Sequence, residues 1–250
     1  MFRDYLESSR SAVYSILFIL PFLLIYEFGI FFGARGQNIG DSFLRLGYYF
    51  FVFLLGPTIS AAIAGVVIFI AILFVVNQIK EQKIRIRFKY FLLMLAEVLF
   101  WTVGIALFLG IFFYRNTPEF FTFQPNESAR YMAYANNLRD FWSIFIGSIG
   151  AGVFEELVFR VIGIRLLYEL FKNKMYPKFS DDQGALLKAI GASALVFTVL
   201  HYKGVANPFS LIGIFLMAII FSFLYLRRGY GIAATTHAFW DLFFFFGILA

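Results

Sequence analysis

Seven stretches of this chain, at residues 11–33, 57–77, 90–113, 140–171, 189–202, 208–226 and 231–250, are almost continuously apolar. Most approach the roughly 20 apolar residues that carry a helix across a hydrocarbon core. Hydrophobic residues make up 61% of the 250 and charged residues only 14%, more apolar surface than the interior of a soluble domain of this size can hide. In lipid every backbone N–H and C=O must be satisfied internally, which leaves helices or closed barrels. A barrel would show short alternating segments, and these runs are long and unbroken. The expected fold is therefore an all-α polytopic transmembrane bundle of about seven spans. It forms a single integral membrane domain over residues 1–250, divided into N-terminal spans (1–138) and a core of motif-bearing spans (139–250).

The polar segments punctuate these spans. Residues 1–10 read as a frayed amphipathic turn at the interface, and 11–33 as a first span kinked near Pro21. Residues 36–47 are a loop, and 42–55 a re-entrant or interfacial helix ended by Gly56-Pro57. Lys80, Lys83, Arg85, Arg87 and Lys89 face only Glu81, the strongest cytoplasmic-loop signal in the chain. Residues 114–138 form a longer polar loop, 172–188 a second basic loop, and Arg227-Arg228 a third inner edge. Placing every basic cluster in the cytoplasm puts the amino terminus inside, in a prokaryotic cell membrane. The net charge of +6 is thus a topology signal rather than a nucleic-acid footprint. Cysteine is absent, which excludes disulfides, thiolate zinc sites and a cysteine nucleophile.

Within this apolar frame the run Gly150-Ala-Gly-Val-Phe-Glu-Glu-Leu-Val-Phe-Arg160 stands apart. Glu155, Glu156 and Arg160, unpaired at the middle of a helix, would together cost about 8–10 kcal/mol. Glu156 and Arg160 lie at i and i+4 with the acid first, the favourable order for an ion pair. Pairing them leaves Glu155 as the carboxylate without an i+4 cation. Neighbours on a helix point about 100° apart, so the two glutamates serve different purposes. Gly147, Gly150 and Gly152 just before them permit close approach by another helix, whether of this chain or of a substrate. Glu97, alone in the 90–113 run, is either a structural partner or a supporting site residue.

The chain has two histidines, His201 and His237, both in or at the ends of apolar spans. Asp241 follows His237 at i+4, where a carboxylate can fix the imidazole tautomer. Phe197 precedes His201 by four and can wall one side of a pocket. One acid, two histidines and an orienting aspartate suit activation of a water and stabilisation of an oxyanion. No His-Glu-x-x-His or Gly-x-Ser-Gly occurs, and two histidines are too few for a di-iron site. A straight seven-span ladder sets His201 near the outer end of its helix and Glu155 nearer the middle, so a shared site requires tilting or shifted boundaries.

Glu155-Glu156-x-x-x-Arg160, Phe197-x-x-x-His201 and His237-x-x-x-Asp241, in that order on late spans, resemble the CPBP family. Those are the CAAX-protease and bacteriocin-processing membrane proteins related to the type II CAAX prenyl endopeptidases. The resemblance covers roughly the last 110 residues; the first part is similar only in having spans. It implies that Glu155 activates the attacking water with help from His201, and that His237 and Asp241 form the oxyanion side. Glu156 with Arg160 holds the site together. Eukaryotic members carry Asn where this chain has Asp241, and an ionised Asp accepts but does not donate hydrogen bonds. The resemblance implies no required cofactor, although Glu155, His201, His237 and Asp241 are also a donor set for zinc.

Three function classes follow. The first is an intramembrane endopeptidase acting on a membrane-associated substrate, CAAX-like, prenylated or bacteriocin-type. The second is a non-proteolytic scaffold or immunity protein that binds a peptide or a sensor kinase in the same cavity. The third is a transporter, since buried carboxylates and histidines also build proton relays. Four polar positions together favour the enzyme, and no repeat of broken helices supports transport.

Overall fold

The computed structural model describes residues 2–32, 53, 73, 76–81, 86–114, 138–172, 182–201 and 208–245. Among these the chain is helical and contains no strand. In chain order the elements are α1 (Phe2–Arg10), α2 (Ala12–Phe31), α3 (Phe88–Tyr114), α4 (Leu138–Gly150), α5 (Arg165–Leu170), α6 (Asp182–Leu200), α7 (Pro208–Arg228) and α8 (Tyr230–Phe245). Between α4 and α5 the helix continues as two π-helical segments, Ala151–Glu155 and Leu157–Ile164.

Four helices among the described residues are long and apolar enough to cross a membrane: Ala12–Phe31, Phe88–Leu109, Asp182–Leu200 and Leu211–Arg228. Large apolar side chains on them, such as Phe28, Phe100, Leu107 and Val199, are exposed on the protein, as a lipid-facing surface requires. Of the other three expected spans, 57–77 lies outside the described residues except for Leu73, Val76 and Asn77. The 140–171 stretch is divided between α and π segments, and the last span is described only as far as Phe245. The loop at 36–47 and that between Tyr114 and Leu138 lie outside the described residues. So does the 42–55 helix, save Phe53.

Two boundaries differ from expectation. Residues 2–10 form an ordered helix, α1, with Tyr5 and Ser9 buried against the bundle. Its anchor is Glu97 on α3, which accepts from Tyr5 Oη (2.5 Å), from Trp101 Nε1 (3.1 Å) and from Arg228 Nη2 (2.7 Å). Arg228 also donates to Ser9 Oγ at 2.8 Å. Glu97 is thus a structural partner, and Arg228 fastens α1 as well as marking a helix end. Next, α6 begins at Asp182, seven residues before the expected span. An acidic residue in the first turn suits the positive end of the helix dipole, and Lys172 reaches across to Asp182 at 3.0 Å. The first span forms as expected from residue 11: α2 carries Pro21 inside it and is started by Ser11, whose hydroxyl accepts from the Tyr14 amide.

The bundle is arranged around α8, which packs against α2, α3, α4, α7 and both π segments. Ile232, Ala233, Ala234 and Thr236 are fully buried, and small residues let the neighbouring backbones approach. The connection from α7 to α8 is the single residue Gly229 at φ +85°, packed on the Arg10 carbonyl. A side chain there would be both strained and crowded. Gly152 serves a similar purpose in the first π segment: a Cβ would collide with the Ala234 carbonyl and come within 2.7 Å of Ala238 Cβ. The approach that Gly152 permits is therefore made by α8.

Candidate active site

The expected single α-helix through Glu155 is instead π-helical on both sides of Glu156. A π turn closes i to i+5 and is wider than an α turn, a geometry that recurs at functional sites. Two carbonyls of this wide stretch accept hydroxyls from neighbouring helices. Tyr230 donates to the Val153 carbonyl at 2.8 Å, and Ser193 to the Phe159 carbonyl at 2.7 Å. These contacts bracket the two glutamates, which turn toward different helices.

Glu155 meets the end of α6. That helix runs antiparallel to the π stretch, with Ser193 and Phe197 beside Phe159 and Ile190 beside Ile164. Continuing the register carries the residue after Leu200 back to the level of Glu155. His201 Nε2 lies 3.5 Å from Glu155 Oε2, so the two groups share one depth despite the straight-ladder expectation. The other ring nitrogen, Nδ1, is 2.7 Å from the Phe197 carbonyl. A carbonyl only accepts, so Nδ1 carries a proton, and in the neutral ring Nε2 presents a lone pair to Glu155. Two acceptors do not face each other at this distance unless a proton lies between them or a water donates to both from beside the pair. Phe197 stacks on the His201 ring with centroids 4.1 Å apart.

Glu156 meets α8. Its Oε1 is 2.8 Å from His237 Nδ1 and 3.1 Å from Arg160 Nη1, so one oxygen serves both partners. The Arg160 contact lies within ion-pair distance but lacks hydrogen-bond geometry, and neither Arg160 Nη nor Glu156 Oε2 has a hydrogen-bond partner among the described residues. Arg160 and Glu156 are both fully buried. The guanidinium is compensated by aromatic faces, with its Cζ 4.5 Å from the centre of Phe197 and 5.9 Å from that of Phe221. Asp241 lies on the same face of α8 as His237, with Oδ2 3.8 Å from Nε2. The sequence points to Asp241 as the carboxylate that orients His237; the tighter contact is with Glu156.

The expected residues thus gather into two carboxylate–imidazole pairs, Glu155–His201 and Glu156–His237. Phe197 joins them, its ring centre 6.3 Å from that of His237. Glu155, Glu156, Arg160 and His237 are at most 6% exposed in their side chains, whereas His201 (26%) and Asp241 (21%) reach the surface and form the open edge of the cluster. Phe221 and Tyr230 were not marked by any motif. Phe221 is one phenylalanine among 37, and Tyr230 stands at the first position of its helix with no periodic signal. Among the described residues no three His, Asp or Glu side chains converge as a metal-binding group. His237 has both ring nitrogens turned to carboxylates.

Residues 137–243 match the family model for type II CAAX prenyl endopeptidase Rce1-like proteins. Over that stretch the chain is similar to Rce1-like proteins. The matched segment contains every residue of the cluster, from Glu155 to Asp241, and the elements α4 to α7 with all but the end of α8. The similarity seen in the sequence motifs therefore spans the segment that supplies the cluster's side chains, while α2 and α3, which pack on α8, lie outside it. No curated protein and no solved structure matches the chain.

Proposed function

We propose that this membrane protein is a CAAX-type intramembrane endopeptidase that hydrolyses a peptide bond of a membrane-associated substrate with water activated by Glu155. The observation that carries this reading is the Glu155–His201 contact at 3.5 Å, at the edge of a buried cluster. A water held beside Glu155 Oε2 and His201 Nε2, on the open side, is placed to attack a carbonyl presented there. Glu155 takes the water proton as the oxygen bonds to the carbonyl carbon, and the C=O electron pair moves onto the carbonyl oxygen. Collapse of the tetrahedral species breaks the C–N bond, and Glu155 returns the proton to the departing amine. His237, held by Glu156, and Asp241 border the position of the oxyanion. A donor there requires His237 Nε2–H to turn from Asp241, or Asp241 to carry the proton itself. General-base action of this kind contributes typically 10²- to 10⁴-fold.

The substrate class rests on the Rce1-like match: a CAAX-like peptide, prenylated or of bacteriocin type, reaching the site from the bilayer with the amino terminus of the enzyme in the cytoplasm. No metal step is required. A zinc ion would supply Lewis-acid activation of the water, but the donor set expected for it, Glu155, His201, His237 and Asp241, does not converge as a metal-binding group among the described residues. The test is to incubate the purified protein in liposomes with prenylated and unprenylated membrane peptides, with and without a chelator, and locate cleaved bonds by mass spectrometry. Cleavage that survives chelation supports the glutamate mechanism, and cleavage lost on chelation and restored by zinc replaces it with a metal-dependent one. Peptide binding without cleavage supports the scaffold reading.

A further inference from the structure

His237 and His201 are held alike. Each imidazole lies on a phenylalanine ring: His201 on Phe197 (4.1 Å between centroids, 27° between planes) and His237 on Phe221 (4.8 Å, 19°). Both phenylalanine rings face the same guanidinium, that of Arg160. Phe221 sits on α7, outside every motif that marks the site, and is 1% exposed. Filling the core explains its burial but not a near-parallel plane against the imidazole. The bond from His237 Nδ1 to Glu156 fixes one atom of the ring and leaves the ring free to pivot about it. A second contact, against the ring face, sets the plane and with it the direction of Nε2, which points toward Asp241 at 3.8 Å. The aromatic face supplies that contact, because stacked rings favour offset parallel planes and the guanidinium orders the phenylalanine from beyond.

We propose that Phe221 is a positioning residue for His237, the counterpart of Phe197 at His201, and that Arg160 keeps both rings in register. The kinetic part of this inference rests on the endopeptidase function proposed above; the geometric part does not. The experiment compares wild type, Phe221→Leu and Phe221→Tyr in liposomes. Leucine retains apolar volume without a ring face, and tyrosine retains the face. Phe221→Leu should lower kcat by about 10- to 100-fold, the scale of a small misplacement of a reacting group, with KM within about twofold. Phe221→Tyr should recover most of the loss. Solid-state NMR of histidine-labelled protein reads the geometry without activity: in Phe221→Leu the His237 ring signals should shift and broaden as the imidazole pivots among several planes, a broadening that loss of the ring current alone does not produce, while those of His201 stay. His237 signals that do not broaden would overturn the inference whatever the activity, as would wild-type kcat in Phe221→Leu or equal loss in the leucine and tyrosine variants. Broadened His237 signals in a protein that cleaves nothing support the positioning contact and reject only the proteolytic function.

Discussion

Arg160→Met removes the guanidinium that touches Glu156. In the folded protein Glu156 is wholly buried, its Oε2 has no hydrogen-bond partner among the described residues, and its Oε1 is shared between Arg160 and His237. Removing one partner of a buried pair costs about 3–5 kcal/mol because the remaining charge is left uncompensated. The Glu156–His237 bond is present before and after, so it does not offset the loss. The guanidinium contacts with Phe197 and Phe221 are worth about 0.5–2 kcal/mol each, and a methionine sulfur against the same rings returns about 0.3–1.5 kcal/mol each, so those contributions nearly cancel. The net expectation is a loss of about 3–5 kcal/mol, set by the stranded carboxylate. Reversible unfolding in bicelles, followed by steric trapping, measures it directly. The double variant Arg160→Met/Glu156→Gln separates charge from shape: removing the stranded carboxylate as well should recover more than half of the deficit. A single variant as stable as wild type, or a double variant no better than the single, would refute the reasoning.

Gly152→Ala should destabilise by about 1–3 kcal/mol, since the new Cβ must push α8 away at Ala234 and Ala238; an unchanged melting temperature would contradict the close approach. The same variant should lose activity by separating Glu156 from His237. Glu97→Leu strands Arg228 and releases Tyr5, so α1 should become sensitive to protease at a cost of about 1.5–3 kcal/mol. An α1 as protected as in wild type would count against this anchor. Reporter fusions should place residues 80–89, residues 172–188 and Arg227 on one side of the membrane, and any one of them opposite the others rejects the proposed topology.

How far the sequence could be read depended on whether the signal was local. The apolar runs declared a helical membrane fold because length and lack of charge are properties of single segments. Glu156 and Arg160 were legible as a pair because both lie on one helix, four residues apart. Glu155 and His201 were legible as partners only through the family resemblance and not from the spans themselves, since their meeting depends on the register between two helices, and Ser193 and Phe197 set that register through the Phe159 turn. The π-helical stretch left no trace: Ala151 to Ile164 contains no proline or unusual spacing, and the wide turns are held by Tyr230 and Ser193 from elsewhere in the chain. Arg228 looked like a topology marker because its partner, Glu97, is 131 residues away. His237 looked like the partner of Asp241 for the opposite reason. The i+4 spacing was visible, and the closer contact with Glu156 from another helix was not.

The central claim is that Glu155 is the base that activates water. Glu155→Gln keeps the side chain's size and its ability to hold a water beside His201 but cannot accept the proton. The most direct measurement is single-turnover cleavage of one membrane peptide by wild type and Glu155→Gln in liposomes, with peptide binding measured in parallel. The account predicts a rate lower by about 10²- to 10⁴-fold, with binding unchanged. A Glu155→Gln variant that cleaves at the wild-type rate would contradict it.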